Sequence, residues 1–193
     1  MSLAPWRSPL SRALHRNHSQ PEARFLQLAT IQLNGQPANR TVVFRGFLDD
    51  TDQLKFVTDT RSEKTEQIEQ NPKAEACWYF IKTREQFRIA GTLTLIRATD
   101  PDSALQQARK TAWQELSDAA RLQFAWPTPG EPRADAAAFA PQPPDATEPL
   151  PYFCLLLLEP ERVDHLELRG EPQNRCLYQR NQNQVWSAQA INP

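Results

Sequence analysis

Residues Phe56 to Pro72 read FVTDTRSEKTEQIEQNP. The run Leu54 to Asp59, LKFVTD, has strand character. From Ser62 to Gln70, Glu, Lys and Gln dominate around one apolar anchor, Ile68, and Asn71-Pro72 stops the pattern, so a short helix follows. Thr60 with Glu63 matches a capping box, and Ser62 is a competing N-cap; the sequence leaves both open. Between strand and helix stand Thr58, Thr60, Arg61, Ser62 and Lys64. Unpaired N–H groups and the dipole at a helix start favour an anion, and these hydroxyls and cations could add hydrogen bonds to a phosphate. Ordinary capping beneath a solvated charged surface is the competing reading.

Upstream, FLQLATIQL (Phe25 to Leu33) alternates partly with period two and meets the turn signal Asn34-Gly35. ANRTVVFRGFLDD (Ala38 to Asp50) is rich in β-branched and aromatic residues and pairs naturally with LKFVTD as a hairpin. Its Arg40 and Arg45 lie on opposite faces by strict alternation, so one arginine can face the anion site. Downstream, AEACWYFIK (Ala74 to Lys82) and EQFRIAGTLTLI (Glu85 to Ile96) read as two strands joined by a short polar turn.

Asp100-Pro101 opens a helical stretch expected to run through Ala120, with Asp100 or Thr99 as N-cap. Eight of the 17 prolines fall between Pro127 and Pro151, which marks an irregular loop, either a lid or a surface excursion. Strand character resumes in Tyr152–Pro160, Arg162–Leu168, Asn174–Arg180 and Val185–Ile191. The run CLLLL suits a strand buried on both faces. The expected class is a β-dominated α+β fold, a barrel with a few short helices, in one domain over residues 1–193.

Composition removes several function classes. The 22 basic and 23 acidic residues are spread along the chain and form no basic stripe for nucleic acid. The longest apolar run, Phe153 to Leu158, is far shorter than the ~20 residues of a membrane-spanning helix. The amino terminus carries Arg7, Arg12 and Arg16 without a signal-peptide core, and the three cysteines are far apart, so a reduced, cytoplasmic protein is expected. None of the five glycines makes a dinucleotide fingerprint or P-loop, and the three histidines make no HExxH motif. His15 and His18 lack a third ligand nearby, so no metal is expected.

The ordered series RTVVFR (Arg40 to Arg45), FVTDTRSEKTEQIEQNP, REQFRIAG (Arg84 to Gly91) and NRCLYQR (Asn174 to Arg180) resembles the pyridoxine/pyridoxamine 5'-phosphate oxidase family, flavoproteins with an FMN-binding split β-barrel. The resemblance implies that Arg40 and Lys64 bind the FMN phosphate, with Ser62 in the same motif. Thr41, Val42, Val43, Val57 and Thr58 would line the flavin, and Gln86 would touch its ring. Arg175 matches a late FMN-contacting arginine, and the site would be completed across a homodimer. Glu63 stands where the family has an arginine, so Arg61 is expected to compensate.

On the substrate side, Arg45, Trp113 and Arg121 match positions that hold the substrate phosphate, beside Ser117. The family's Arg-x-His-x-Arg clamp reads Glu171 to Arg175 here, and its terminal Arg-Leu-Ala-Pro reads Ala190 to Pro193. The implied activity is oxidation of a small molecule, such as a B6 vitamer phosphate, by hydride transfer to flavin N5 with reoxidation by O2. No catalytic side chain stands out. An FMN-dependent reductase or oxidase of another small molecule, and a non-enzymatic FMN-binding protein, are the alternatives.

Overall fold

A computed structural model describes residues 3–193. Eight strands form one antiparallel sheet: β1 (Phe25–Ile31), β2 (Pro37–Val43), β3 (Leu54–Asp59), β4 (Lys73–Phe80), β5 (Glu85–Ile96), β6 (Phe153–Glu167), β7 (Asn174–Arg180) and β8 (Trp186–Ala190). Their order is β2-β1-β4-β5-β6-β7-β8, with β3 joined to β6 off this path. Along its first half β6 pairs with β3, and along its second half with β7, while β5 accompanies both halves. The sheet divides where β3 and β7 leave β6.

The expected barrel is open, because no continuous ladder closes the sheet among the described residues. The continuation of β2 reaches β3 by two backbone bonds, Arg45 N–H to the Lys55 carbonyl at 2.9 Å and Lys55 N–H to the Gly46 carbonyl at 2.8 Å. The two strands expected on either side of Pro160 are one. Proline removes a ladder donor, but a register shift between Ala90 and Gly91 lies opposite, and this irregularity accommodates Pro160 without ending the strand. A Cβ on Gly91 would come within 2.0 Å of the Glu159 carbonyl oxygen, so the close approach requires glycine.

Alternation sends Leu28, Trp78, Phe87, Leu156 and Leu158 into one core cluster. Phe153, Leu155 and Leu157 enter a second cluster against helix residues. Both faces of the CLLLL run are therefore buried, as its continuous hydrophobicity required.

The helices are α1 (Arg7–Arg16), α2 (Glu63–Gln70), α3 (Ser103–Gln114) and α4 (Asp118–Phe124). α1 was not anticipated, although Trp6, Leu10 and Ala13 are spaced for one helical face and are buried in the first cluster. The single helix expected from Asp100 to Ala120 is two. Asp102, not Asp100, caps α3 by accepting from Ala104 and Leu105 N–H at 2.8 and 3.1 Å. Ser117 starts α4 by accepting from Ala120 N–H. None of the helices among the described residues is long and apolar enough to cross a membrane.

Candidate functional site

At the end of β3 the chain turns sharply into α2. Ser62 occupies the N-cap position without capping; its hydroxyl donates to the Asp59 carbonyl at 2.7 Å, and no capping box forms with Thr60. Lys64 Nζ, drawn back over the turn, donates to Thr58 Oγ1 and Ser62 Oγ, each at 3.0 Å. Arg40 on β2 reaches the same corner across the sheet. It donates to the carbonyls of Leu28 and Ala38, to Thr30 Oγ1 and to Gln67 Oε1.

All of these acceptors are neutral. Among the described residues no carboxylate makes an ion pair with Arg40 or Lys64. Burial, followed by repulsion from Arg40, holds the Lys64 ammonium below its usual pKa, and burial lowers Arg40 despite the distant pull of Glu63. Two desolvated cations with only neutral partners create a local positive potential that an anion relieves.

Both cations line a cavity of about 400 Å³. Thr41, Val42 and Val43 of β2, the following Arg45, and Val57, Thr58 and Asp59 of β3 line it from the sheet; Leu116, Ala120, Gln123, Phe124, Trp126 and Pro129 line it from the helix segment. The size suits a bound small molecule. The residues of the helix segment were missed as site residues, since helix periodicity alone does not say what a helix end faces.

Arg61 is committed elsewhere. Its guanidinium chelates Asp59 through Nε and Nη2 at 2.6–3.1 Å, donates to the carbonyls of Phe124 and Trp126 at 3.0 and 3.2 Å, and stacks on Tyr152 at 3.9 Å. The Asp59 hydrogen bond raises its pKa. The expectation that Arg61 replaces the cation absent at Glu63 finds no support in its contacts: four of its five N–H groups are taken by Asp59 and by the carbonyls of Phe124 and Trp126. It ties α4 and Trp126 to the end of β3.

Trp113 and Arg121, expected at the substrate, are also structural. Trp113 is fully buried and donates Nε1–H to the Asp145 carbonyl at 2.9 Å, which docks the proline-rich segment. Arg121 is buried, donates to the carbonyls of Trp113, Gln114 and Leu116 at the end of α3, and pairs with Asp118. Neither is among the residues that line the cavity.

Gln86 and Arg175 do not line the cavity. Their strand register places them in one row, Tyr79–Gln86–Leu166–Arg175, across β4 to β7. Arg175 binds Asp164 through two hydrogen bonds of 2.9 and 2.8 Å, which hold that buried carboxyl below its usual pKa. A separate group, Glu85, His165 and Glu167, brings its ligand atoms within 4.8 Å of one another; the His165 ring nitrogen lies 3.0 Å from Glu85. Their separation by some eighty residues hid this group from spacing arguments.

Residues 3–97 match the family model described as pyridoxamine 5'-phosphate oxidase, FMN-binding domain. The chain is 40% identical to pyridoxine/pyridoxamine 5'-phosphate oxidase 2 of Arabidopsis thaliana, over 99% of this chain and 98% of that one. The chain belongs to the FMN-binding pyridoxamine 5'-phosphate oxidase family. A solved structure of a pyridoxamine 5'-phosphate oxidase-related, FMN-binding protein from Nostoc punctiforme is 67% identical and superposes with a TM-score of 0.97 over 100% of both chains. PhzG from Burkholderia lata, solved with tetrahydrophenazine-1-carboxylic acid, shares the fold at 19% identity, with a TM-score of 0.80 over 98% of this chain and 93% of that one. The donor set fits this family's cofactor, FMN: the unneutralised pair Arg40 and Lys64, with Thr58 and Ser62, suits a phosphate, and the valine-rich wall suits a flat ring.

Proposed function

We propose that this protein is an FMN-dependent oxidoreductase of small molecules. The observation that carries the reading is the Arg40–Lys64 pair, two desolvated cations with neutral partners only, lining a cavity of about 400 Å³. Arg40, Lys64, Thr58 and Ser62 would hold the FMN phosphate, while Thr41, Val42, Val43 and Val57 would lie along the flavin. Bound FMN supplies a two-electron acceptor that O2 can regenerate. The protein's share is position and exclusion of water. Asp59, the one carboxylate among the described residues that line the cavity, is bound by Arg61 and is not free to act as a base.

We further infer a cytoplasmic homodimer of single-domain chains. Gln86 and Arg175 share a row with half-exposed Tyr79, and Phe25 is also exposed. A second copy on this face would bring these polar residues to the neighbouring cavity and cover the aromatic rings. The three unpaired cysteines agree with a reducing compartment.

A yellow purified protein that releases FMN on acid treatment, and loses it on Lys64→Met substitution, supports the cofactor reading; a colourless protein indifferent to added FMN refutes it. Aerobic oxidation of pyridoxamine 5'-phosphate with H2O2 release would identify the substrate as a B6 vitamer phosphate. A different small molecule is favoured by the burial of Trp113 and Arg121, which leaves the cavity without the two donors that the family resemblance placed on the substrate phosphate.

A further inference from the structure

Away from the cavity, β5 begins and β6 ends in one row of the sheet, where the register sets Glu85 directly opposite Glu167. Two carboxylates opposite each other on one sheet face repel, an arrangement that is unfavourable unless a cation lies between them. The next row on that face sets Phe87 opposite His165. The His165 ring stacks on Phe87 at 4.0 Å with 10° between the planes, and its Nε2 lies 3.0 Å from Glu85 Oε2. The ring is thereby held with a nitrogen turned toward the carboxylate row.

The group is largely closed to water. The side chains of His165 and Glu85 are 6% and 9% exposed, and Glu167 is half-buried. Among the described residues no lysine or arginine makes an ion pair with either glutamate. Arg16 acts on Glu85 only through space. A proton on the imidazole balances one of the two negative charges, whereas a divalent cation balances both.

We propose that Glu85, His165 and Glu167 bind one divalent metal ion of the zinc class, which fastens the start of β5 to the end of β6. Their three ligand atoms lie within 4.8 Å of one another. One imidazole with two carboxylates is a donor set for Zn²⁺ rather than for Mg²⁺ or Ca²⁺, which take oxygen ligands. A tetrahedral ion with bonds of about 2.0–2.2 Å keeps its ligand atoms about 3.4 Å apart. Glu85 and His165 already stand near that separation, and Glu167, the most accessible of the three, has to swing in; water would fill the fourth position. The imidazole binds as the neutral base, so a proton shared with Glu85 leaves as the ion enters. Gln86 and Leu166, next to the ligands in the chain, point to the opposite face in the row that ends at Arg175. The ion would therefore also fix that row. The inference stands independently of the FMN reading.

The full chain as purified, stripped of metal with EDTA, is titrated with ZnCl2 by calorimetry, with thermal denaturation alongside. One ion per chain is expected, and at a hundredfold excess over its Kd the ion should raise Tm by about 5–10 °C. Glu167→Gln and Glu85→Gln should each lower zinc affinity by at least about tenfold. Without metal, Glu167→Gln should be no less stable than wild type, because it removes one of two opposed charges. A lower Tm for metal-free Glu167→Gln would mean that the chain already supplies the balancing cation, and would overturn the site. Zinc that binds wild type and both glutamine variants equally, or that is lost instead on His18→Asn, would belong to the stacked His15–His18 pair or another surface group and would overturn it as well. No binding to wild type at millimolar ZnCl2 would do the same.

Discussion

Replacing Arg61 by alanine separates a latch from a phosphate ligand. The side chain is about three-quarters buried and gives three hydrogen bonds to Asp59, whose carboxylate is only 11% exposed, and two more to the carbonyls of Phe124 and Trp126. Its loss strands a mostly buried carboxylate and two carbonyls. Breaking one side of a deeply buried pair costs about 3–5 kcal/mol, and water can enter here to relieve part of it, so about 2–3 kcal/mol is expected. For a chain of this length that corresponds to a drop in Tm of about 5–10 °C. The FMN phosphate cradle, built by Lys64 and Arg40, is untouched. Quenching of FMN fluorescence on titration with Arg61→Ala should therefore give a Kd within about threefold of wild type, less than the effect of one hydrogen bond. Thermal denaturation should at the same time show the lower Tm. An Arg61→Ala protein with wild-type Tm and severely weakened FMN would place Arg61 on the phosphate and refute the latch.

Lys64→Met should raise the FMN Kd by about 10–100-fold, the range for a lost charge-assisted hydrogen bond. Because burial holds the Lys64 pKa below 10.5, wild-type affinity should also fall as pH rises through the alkaline range, and this limb should be missing in Lys64→Met. Gly91→Ala should cost about 3 kcal/mol or more, or yield no folded protein, since its Cβ would sit 2.0 Å from a backbone oxygen that β5 and β6 hold in place; a variant with wild-type Tm would contradict the tight crossing. Asp164 has a folded pKa below 3.8 because of Arg175, so its contribution to stability is present above that value and is lost as pH falls through the folded pKa. Asp164→Asn should flatten the acid limb of a stability profile below about pH 4, as read by denaturant midpoints.

Much of the sheet was legible because strand alternation, turn residues and the doubly apolar CLLLL run are local signals. Pro160 misled for an equally local reason. A proline that ends a strand by itself is tolerated when a partner, about seventy residues earlier in no visible relation to it, supplies the irregular register and a glycine. α1 carried a readable spacing in Trp6, Leu10 and Ala13 that went unused beside its many arginines and serines.

What the amino-acid sequence by itself determined is the type of site: cations and hydroxyls clustered at one strand-to-helix junction, in a series of motifs that marks an FMN-binding family. Tertiary structure decided which of those cations are free. Lys64 and Arg40 meet only neutral acceptors, whereas Arg61, three residues from Lys64 in the chain, is bound to Asp59 and to the end of α4. The same decision took Trp113 and Arg121 out of the cavity and put Trp126 into it. Whether a side chain binds a ligand depends on its remaining unsatisfied hydrogen-bonding capacity and charge. Partners brought from distant segments set that quantity, and local spacing does not encode them.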